Sequence, residues 1–238
     1  RRMNTFTVAW KEIKGYFSTP AAYIVGAMFL SLTGIFFVFD VTSPFAEASV
    51  RGIVNWASFF IVFLAPLLTM RLLAEEQKLG TLELLMTAPV RDWEVVLGKY
   101  IASLIMFSAT IILTLYYVLL LYVFGQPDTG PVLSSYLGLM LHGAAALAVG
   151  LLGSSLSANQ IVAAVVGIAV LLMLSFVDRV GSLVSGVAAD VLNGLSLNAH
   201  VTDFTRGVID TANVVYFLSI TAVFLFLTIR SMETRRWR

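Results

Sequence analysis

Two stretches bring together residue types that could do phosphate or acyl chemistry, and both fall short. Gly98-Lys99 is the only Gly-Lys pair in the 238 residues. A phosphate-cradling loop needs a first glycine five positions earlier, and Ser or Thr after the lysine. Here Trp93 holds the first position and Tyr100 follows the lysine, so no phosphate loop is expected. Gly194-Leu195-Ser196-Leu197-Asn198 sets a serine near His200. The pattern ends in Asn where a nucleophile elbow has Gly, and nothing in the sequence brings nucleophile and base together. With no Cys, there is no thiolate nucleophile, disulfide framework or thiolate metal site. No catalytic residue and no metal ligand is assigned, and the chain is not expected to be an enzyme.

The elements that must position any other function are membrane helices. The chain is 59% hydrophobic and 12% charged, with a mean hydropathy of +0.91. A soluble domain carries about a quarter charged residues. Its net charge of +1 gives no reason to expect a nucleic-acid partner. Six apolar stretches suit a hydrocarbon core of roughly 30 Å: about 20–39, 51–73, 94–124, 131–156, 159–177 and 211–230. All should be helices, because lipid cannot satisfy backbone hydrogen bonds. The expected fold is all-α and polytopic, one transmembrane domain over 1–238. No signal peptide is visible, and the start is expected at Met3 or upstream of Arg1.

Orientation follows from Lys and Arg. With the termini inside, twelve positive residues face the cytoplasm and only Arg51, Arg179 and Arg206 lie outside, whereas acids split seven and seven. Both termini are therefore expected in the cytoplasm, the lipid membrane being the first partner.

Ahead of the first span, over about 3–17, Phe6, Trp10, Ile13 and Phe17 recur at helical spacing. Lys11, Glu12 and Lys14 point elsewhere. This is an amphipathic interfacial helix, with Trp10 and Tyr16 suited to the headgroup level. Pro20 then permits the turn into the span.

Between spans two and three, residues 75–100 hold eight charges in one block. Leu79, Leu82, Leu84, Leu85 and Met86 are too few to cross a bilayer and too many for a solvated loop. Gly80 precedes Thr81, and Pro89 stops the pattern, so a short helix is expected over about 81–88. Asp92 and Glu94 suit the first turn of the next helix. Two readings stand: the short helix lies on the membrane, or it docks a soluble partner with leucines in a groove.

The remaining polar marks are fewer. His142 is central in span four, either a neutral histidine bonded to its helix or a contributor to a substrate path. Asn55 suits a helix–helix hydrogen bond, and it is the other polar residue considered for the path. Gly143, Gly150 and Gly153 permit close helix approach, and Pro66 is expected to kink span two. In the outer loop, about 178–210, Val184, Val187, Val191 and Leu195 form an apolar stripe, which predicts a short interfacial or re-entrant helix.

Three stretches carry a family resemblance: YIVGAMFLSLTGIFFVFD, APLLTMRLLAEEQKLGTLELLMTAPVRDWEVVLGKY and SSLSANQIVAAVVG. The chain resembles a permease subunit of an ABC transporter of the ABC-2 class, type V exporter-like, in the gliding-motility permease branch. The resemblance implies that 75–94 is the coupling segment on a separate ATPase, with Glu75, Glu76, Lys78, Gly80, Thr81, Leu82, Leu84, Leu85, Met86, Pro89, Asp92 and Trp93 at the contact. It implies a second cytoplasmic contact at Ser154, Ser155, Ser157, Asn159 and Gln160. It further implies two ATPase subunits per transporter carrying ATP and magnesium, and a second permease copy or related permease. Some relatives add an extracytoplasmic accessory protein. The expected location is a bacterial cytoplasmic membrane. The competing reading is an ion- or proton-coupled carrier, which calls for intramembrane acids or broken helices at the midplane. No span interior shows such acids. An intramembrane hydrolase built on Ser196 and His200 ranks behind both.

Overall fold

The computed structural model describes residues 5–43, 49–81, 91–181, 183 and 186–236. Nine helices and no strand lie among the described residues. They are α1 (Thr5–Ser18), α2 (Pro20–Val41), α3 (Arg51–Lys78), α4 (Asp92–Phe124), α5 (Thr129–Leu156), α6 (Gln160–Gly181), α7 (Val187–Gly194), α8 (Leu197–Thr205) and α9 (Thr211–Arg236). Six of them, α2 to α6 and α9, are long and apolar enough to cross a membrane. The all-α, six-span expectation holds.

Helix ends differ from the sequence reading where charge is tolerated at a membrane edge. The second span was expected to stop near 73, yet α3 continues to Lys78. Glu75, Glu76 and Lys78 thus belong to the same rod as the span. Gly80, at φ +69°, ends it in the left-handed conformation that glycine adopts freely. The fourth helix spans 33 residues, about 50 Å at 1.5 Å per residue, so it outreaches the hydrocarbon core.

α3 and α5 form the inner pair, while α2, α6 and α9 leave most of their surface outside. α3, α5 and α6 meet around Pro66. A Cβ added at Gly153 would lie 2.8 Å from the Ala163 carbonyl, and one at Gly167 would lie 3.1 Å from the Pro66 ring. At Gly143 it would enter the Phe107 ring of α4. Any larger residue would push these helices apart, which is how small residues let membrane helices pack closely.

The outer loop holds two short helices where one was expected. α7 has no buried residue. α8 buries Leu197, Val201 and Phe204 against the bundle. Ser134 Oγ of α5 donates to the Phe204 carbonyl at 2.8 Å, satisfying a backbone group at the α8 end. The local signal for α8 was present: Ser196 as N-cap, then apolar residues at i+1, i+5 and i+8. Val184 of the expected stripe lies outside the described residues.

Candidate functional site

The end of α3, the start of α4, and α1 converge on one face of the bundle. Lys99 is the centre of that junction. Its side chain is 1% exposed, and Nζ lies 2.8 Å from Glu12 Oε1 of α1 and 2.9 Å from Glu76 Oε1 of α3. A lysine is rarely buried this deeply unless paired, and two carboxylates pair it here. Lys11 Nζ approaches Glu76 at 3.9 Å from the rim. Next door, Gly98 lets α1 lie directly on α4: a Cβ there would sit 2.8 Å from Val8 and 2.9 Å from the Thr5 carbonyl. The Gly-Lys pair that fails as a phosphate loop therefore docks the N-terminal helix. The sequence reading assigned no role to Lys99 or Glu12 at this junction. They are 87 residues apart, and no local pattern connects them.

α1 is an amphipathic helix, with Phe6, Trp10 and Phe17 exposed. Phe6 and Trp10 stack at 6.3 Å. Tyr16, expected at the headgroup level, is instead buried to 2% exposure. Its hydroxyl donates to the Leu68 carbonyl of α3 at 2.6 Å. Burial pushes the phenol well above its ordinary range, outweighing the lowering by Arg71, so it stays a donor. The Arg71 guanidinium lies 5.3 Å from the Tyr16 ring centre and donates to Thr19 Oγ1 at 3.2 Å.

Of the residues assigned to the ATPase contact, Leu82, Leu84, Leu85, Met86 and Pro89 lie outside the described residues. The others flank them. Glu75, Lys78 and Gly80 are exposed, and Thr81 is half-buried. On the far side, Arg91 N donates to Glu94 Oε2 at 2.9 Å, the reach-back half of a capping box. Asp92 stands in the first turn of α4, and Trp93 is exposed.

The five residues from α5 to α6 divide into two groups. Ser154 and Ser155 are buried. Ser154 Oγ accepts from Leu73 N and Ala74 N, each at 3.0 Å, and donates to the Met70 carbonyl at 2.8 Å. Gln77 Nε2 caps the α5 end by donating to the Ser155 carbonyl at 2.9 Å. Ser155 Oγ meets Ser231 Oγ of α9 at 3.1 Å. Asn159 is exposed, and Ser157 and Gln160 are half-buried. Ser157 Oγ accepts from Asn159 N at 3.0 Å, so it shapes the turn into α6.

The two polar residues considered for a path behave differently. His142 is fully buried, and among the described residues neither ring nitrogen has a hydrogen-bond partner. The expected bond to its own helix is absent; its ring instead meets Phe217 edge-on at 6.0 Å. Asn55 is exposed and makes no hydrogen bond among the described residues, so the helix–helix bond expected of it is not formed there. It heads the open stripe of α3 that continues through Phe59 and Phe63. That stripe borders an apolar recess of about 380 Å³ between α2 and α3, lined by Val25, Met28, Leu32, Phe59, Phe60 and Phe63 among others. The hydrolase reading finds no geometry. His200 Nδ1 faces the Ser196 carbonyl at 2.8 Å, while the Ser196 hydroxyl caps α8. No group that could hold a metal ion occurs among the described residues.

With six membrane-capable helices and this junction in place, the comparison with known families is decisive. The family described as ABC-2 family transporter protein matches residues 29–237. The chain belongs to that family. It is an ABC-2 permease, a multi-pass membrane protein and the transmembrane part of an ABC transporter, not itself the ATPase. Comparison with curated proteins returned no match. The match begins within α2, so the α1 helix that Lys99 fastens to this permease lies ahead of it.

Proposed function

We propose that this ABC-2 permease is one half of an ATP-driven exporter and takes its stroke from a separate ATPase at residues 75–94. Two such halves pair, as copies or with a related permease, and each carries one ATPase. ATP and magnesium sit on the ATPase alone. The termini and the 75–94 segment face the cytoplasm of a bacterial inner membrane, as the Lys and Arg bias favours. An extracytoplasmic accessory protein would meet the face bearing α7 and α8.

The observation that carries the reading is the Lys99 cluster. It fastens α1, α3 and α4 to one another where residues 82–90 join α3 to α4. Ser154 and Gln77 fasten α5 to the same stretch of α3. A displacement of that segment is therefore passed to four helices as a unit. ATP-bound and ATP-free ATPases must contact the segment differently for the displacement to occur. The α2–α3 recess, apolar and open to the side, suits a lipid-like or amphipathic substrate.

The test is co-expression with a candidate ATPase and purification in detergent, with and without Leu82→Asp/Leu85→Asp. The expected result is an ATPase that co-purifies with the native chain and is lost with the double variant, at unchanged melting temperature. Full retention by the variant removes the coupling assignment. Absence of any ATPase-dependent transport, with transport following an ion gradient, would favour a carrier.

A further inference from the structure

The junction also encloses a polar cleft of about 340 Å³, lined by Lys11, Glu12, Arg71, Glu75, Glu76 and Lys99 among others. Its charges balance three against three, but their pairing leaves a remainder. Lys99 is taken by Glu12 and Glu76, and Lys11 leans on Glu76. Among the described residues Arg71 has no carboxylate partner and Glu75 no cation. They stand four residues apart on α3, in the Arg-before-Glu order that pairs poorly along a helix.

Arg71 is held as a receptor would be. Tyr16 lies under the guanidinium, Thr19 takes one N–H, and a Cβ at Gly15 would come within 3.8 Å of Nη2. Most of its five N–H donors remain for a ligand. Its depth is fixed by the sequence. Residues 52–70 of α3 are free of charge between Arg51 and Arg71. At 1.5 Å per residue they span roughly 29 Å, about the thickness of the hydrocarbon core. Arg71 thus stands at the phosphate level of the leaflet on this face. Glu75 stands one turn farther out, about 6 Å along the axis.

We propose that this cleft binds the headgroup of a phosphoethanolamine lipid, its phosphate on Arg71 and its ammonium on Glu75. Guanidinium matches phosphate geometry, and basic pockets between membrane helices hold lipid headgroups. A purely anionic headgroup would leave Glu75 unmatched. A choline headgroup has a cation but no N–H to donate. The bound lipid would bridge α1 to the last turns of α3, beside Thr81.

The test is native mass spectrometry of the full chain in detergent, titrated with dioleoyl phosphatidylethanolamine, phosphatidylglycerol or phosphatidylcholine, with soluble phosphoethanolamine as a further arm. The native chain should retain the ethanolamine lipid roughly tenfold better than the choline lipid, the scale of one charge-assisted hydrogen bond. Glu75→Gln, at an exposed position, should cut that preference to about twofold. Arg71→Gln should weaken retention of all three lipids, and Arg71→Lys should restore much of it. Equal retention of ethanolamine and choline lipids overturns the proposal, as does a preference that survives Glu75→Gln. Stronger retention of phosphatidylglycerol makes the cleft a plain anion site and overturns the ammonium half. Displacement of the lipid by millimolar phosphoethanolamine would overturn the lipid as ligand and leave a soluble headgroup.

Discussion

The two ends of this permease carry short helices fastened by different balances of charge and packing. At the end bearing residues 75–81, α1 is held by charge. Glu12 shares a buried Lys99 with Glu76, and Tyr16 adds a buried hydrogen bond to Leu68. At the other end, α8 is seated mainly by apolar packing, with Ser134 Oγ donating to the Phe204 carbonyl at 2.8 Å. Leu197, Val201 and Phe204 are fully or almost fully buried, and a Cβ at Gly138 would lie 2.7 Å from Phe204. Ion pairs and hydrogen bonds are directional and fix geometry, whereas apolar packing is non-directional.

The sharpest way to break the contrast is Lys99→Ala. It leaves two carboxylates close together and largely buried without their cation. Removing one partner of a buried ion network costs about 4 kcal/mol. The expected outcome is a large drop in the melting temperature of the detergent-purified chain, followed by intrinsic fluorescence. Lys99→Met with Glu12→Gln and Glu76→Gln should recover most of the loss, because an apolar isostere avoids the uncompensated charges. If Lys99→Ala melts like the native chain, the junction is not held by charge.

The outer end should answer to volume. Phe204→Ala removes a fully buried ring that Gly138 was shaped to receive, and truncations of this kind cost about 3 kcal/mol. The same melting measurement checks it. A loss somewhat smaller than that of Lys99→Ala, with no gain from neutralising acids nearby, is the expected signature. A loss under about 1 kcal/mol would mean that the apolar contact is not what seats α8.

The contrast also explains what was legible beforehand. The six spans follow from charge-free runs, because bilayer thickness acts on every segment in the same way. The exposed aromatic face of α1 was likewise legible, since Phe6, Trp10 and Phe17 recur locally. What escaped was pairing across distance. Glu12, Glu76 and Lys99 each read as ordinary charges near a membrane edge, and only the packing of α1 on Gly98 brings them together. Tyr16 escaped for the same reason: an amphipathic aromatic suits either an interface or a buried donor site, and Leu68 decides between them. α3 runs past its expected end into a stretch that Gln77 ties to α5 by donating to the Ser154 and Ser155 carbonyls, a contact across 77 residues that no local pattern signals. α8 was legible in part, yet its nine residues are too short for periodicity alone to separate them from a loop.

The smallest expected effect tests α7 against α8. α7 has the apolar stripe of a packed helix but buries nothing: Val187 and Val191 are 79% and 56% exposed. Val191→Asp should therefore change stability in detergent by no more than about 0.5 kcal/mol, as surface substitutions do. Val201→Asp on α8 places a charge at a position only 3% exposed and should be strongly destabilising, since a buried unpaired charge is among the costliest substitutions. The pair separates two explanations of the α7 stripe. If both variants are costly, α7 packs on protein in solution. If only Val201→Asp is costly, the valines of α7 do not pack on the other helices of this chain, and their apolar face stays available to the membrane interface or to a partner.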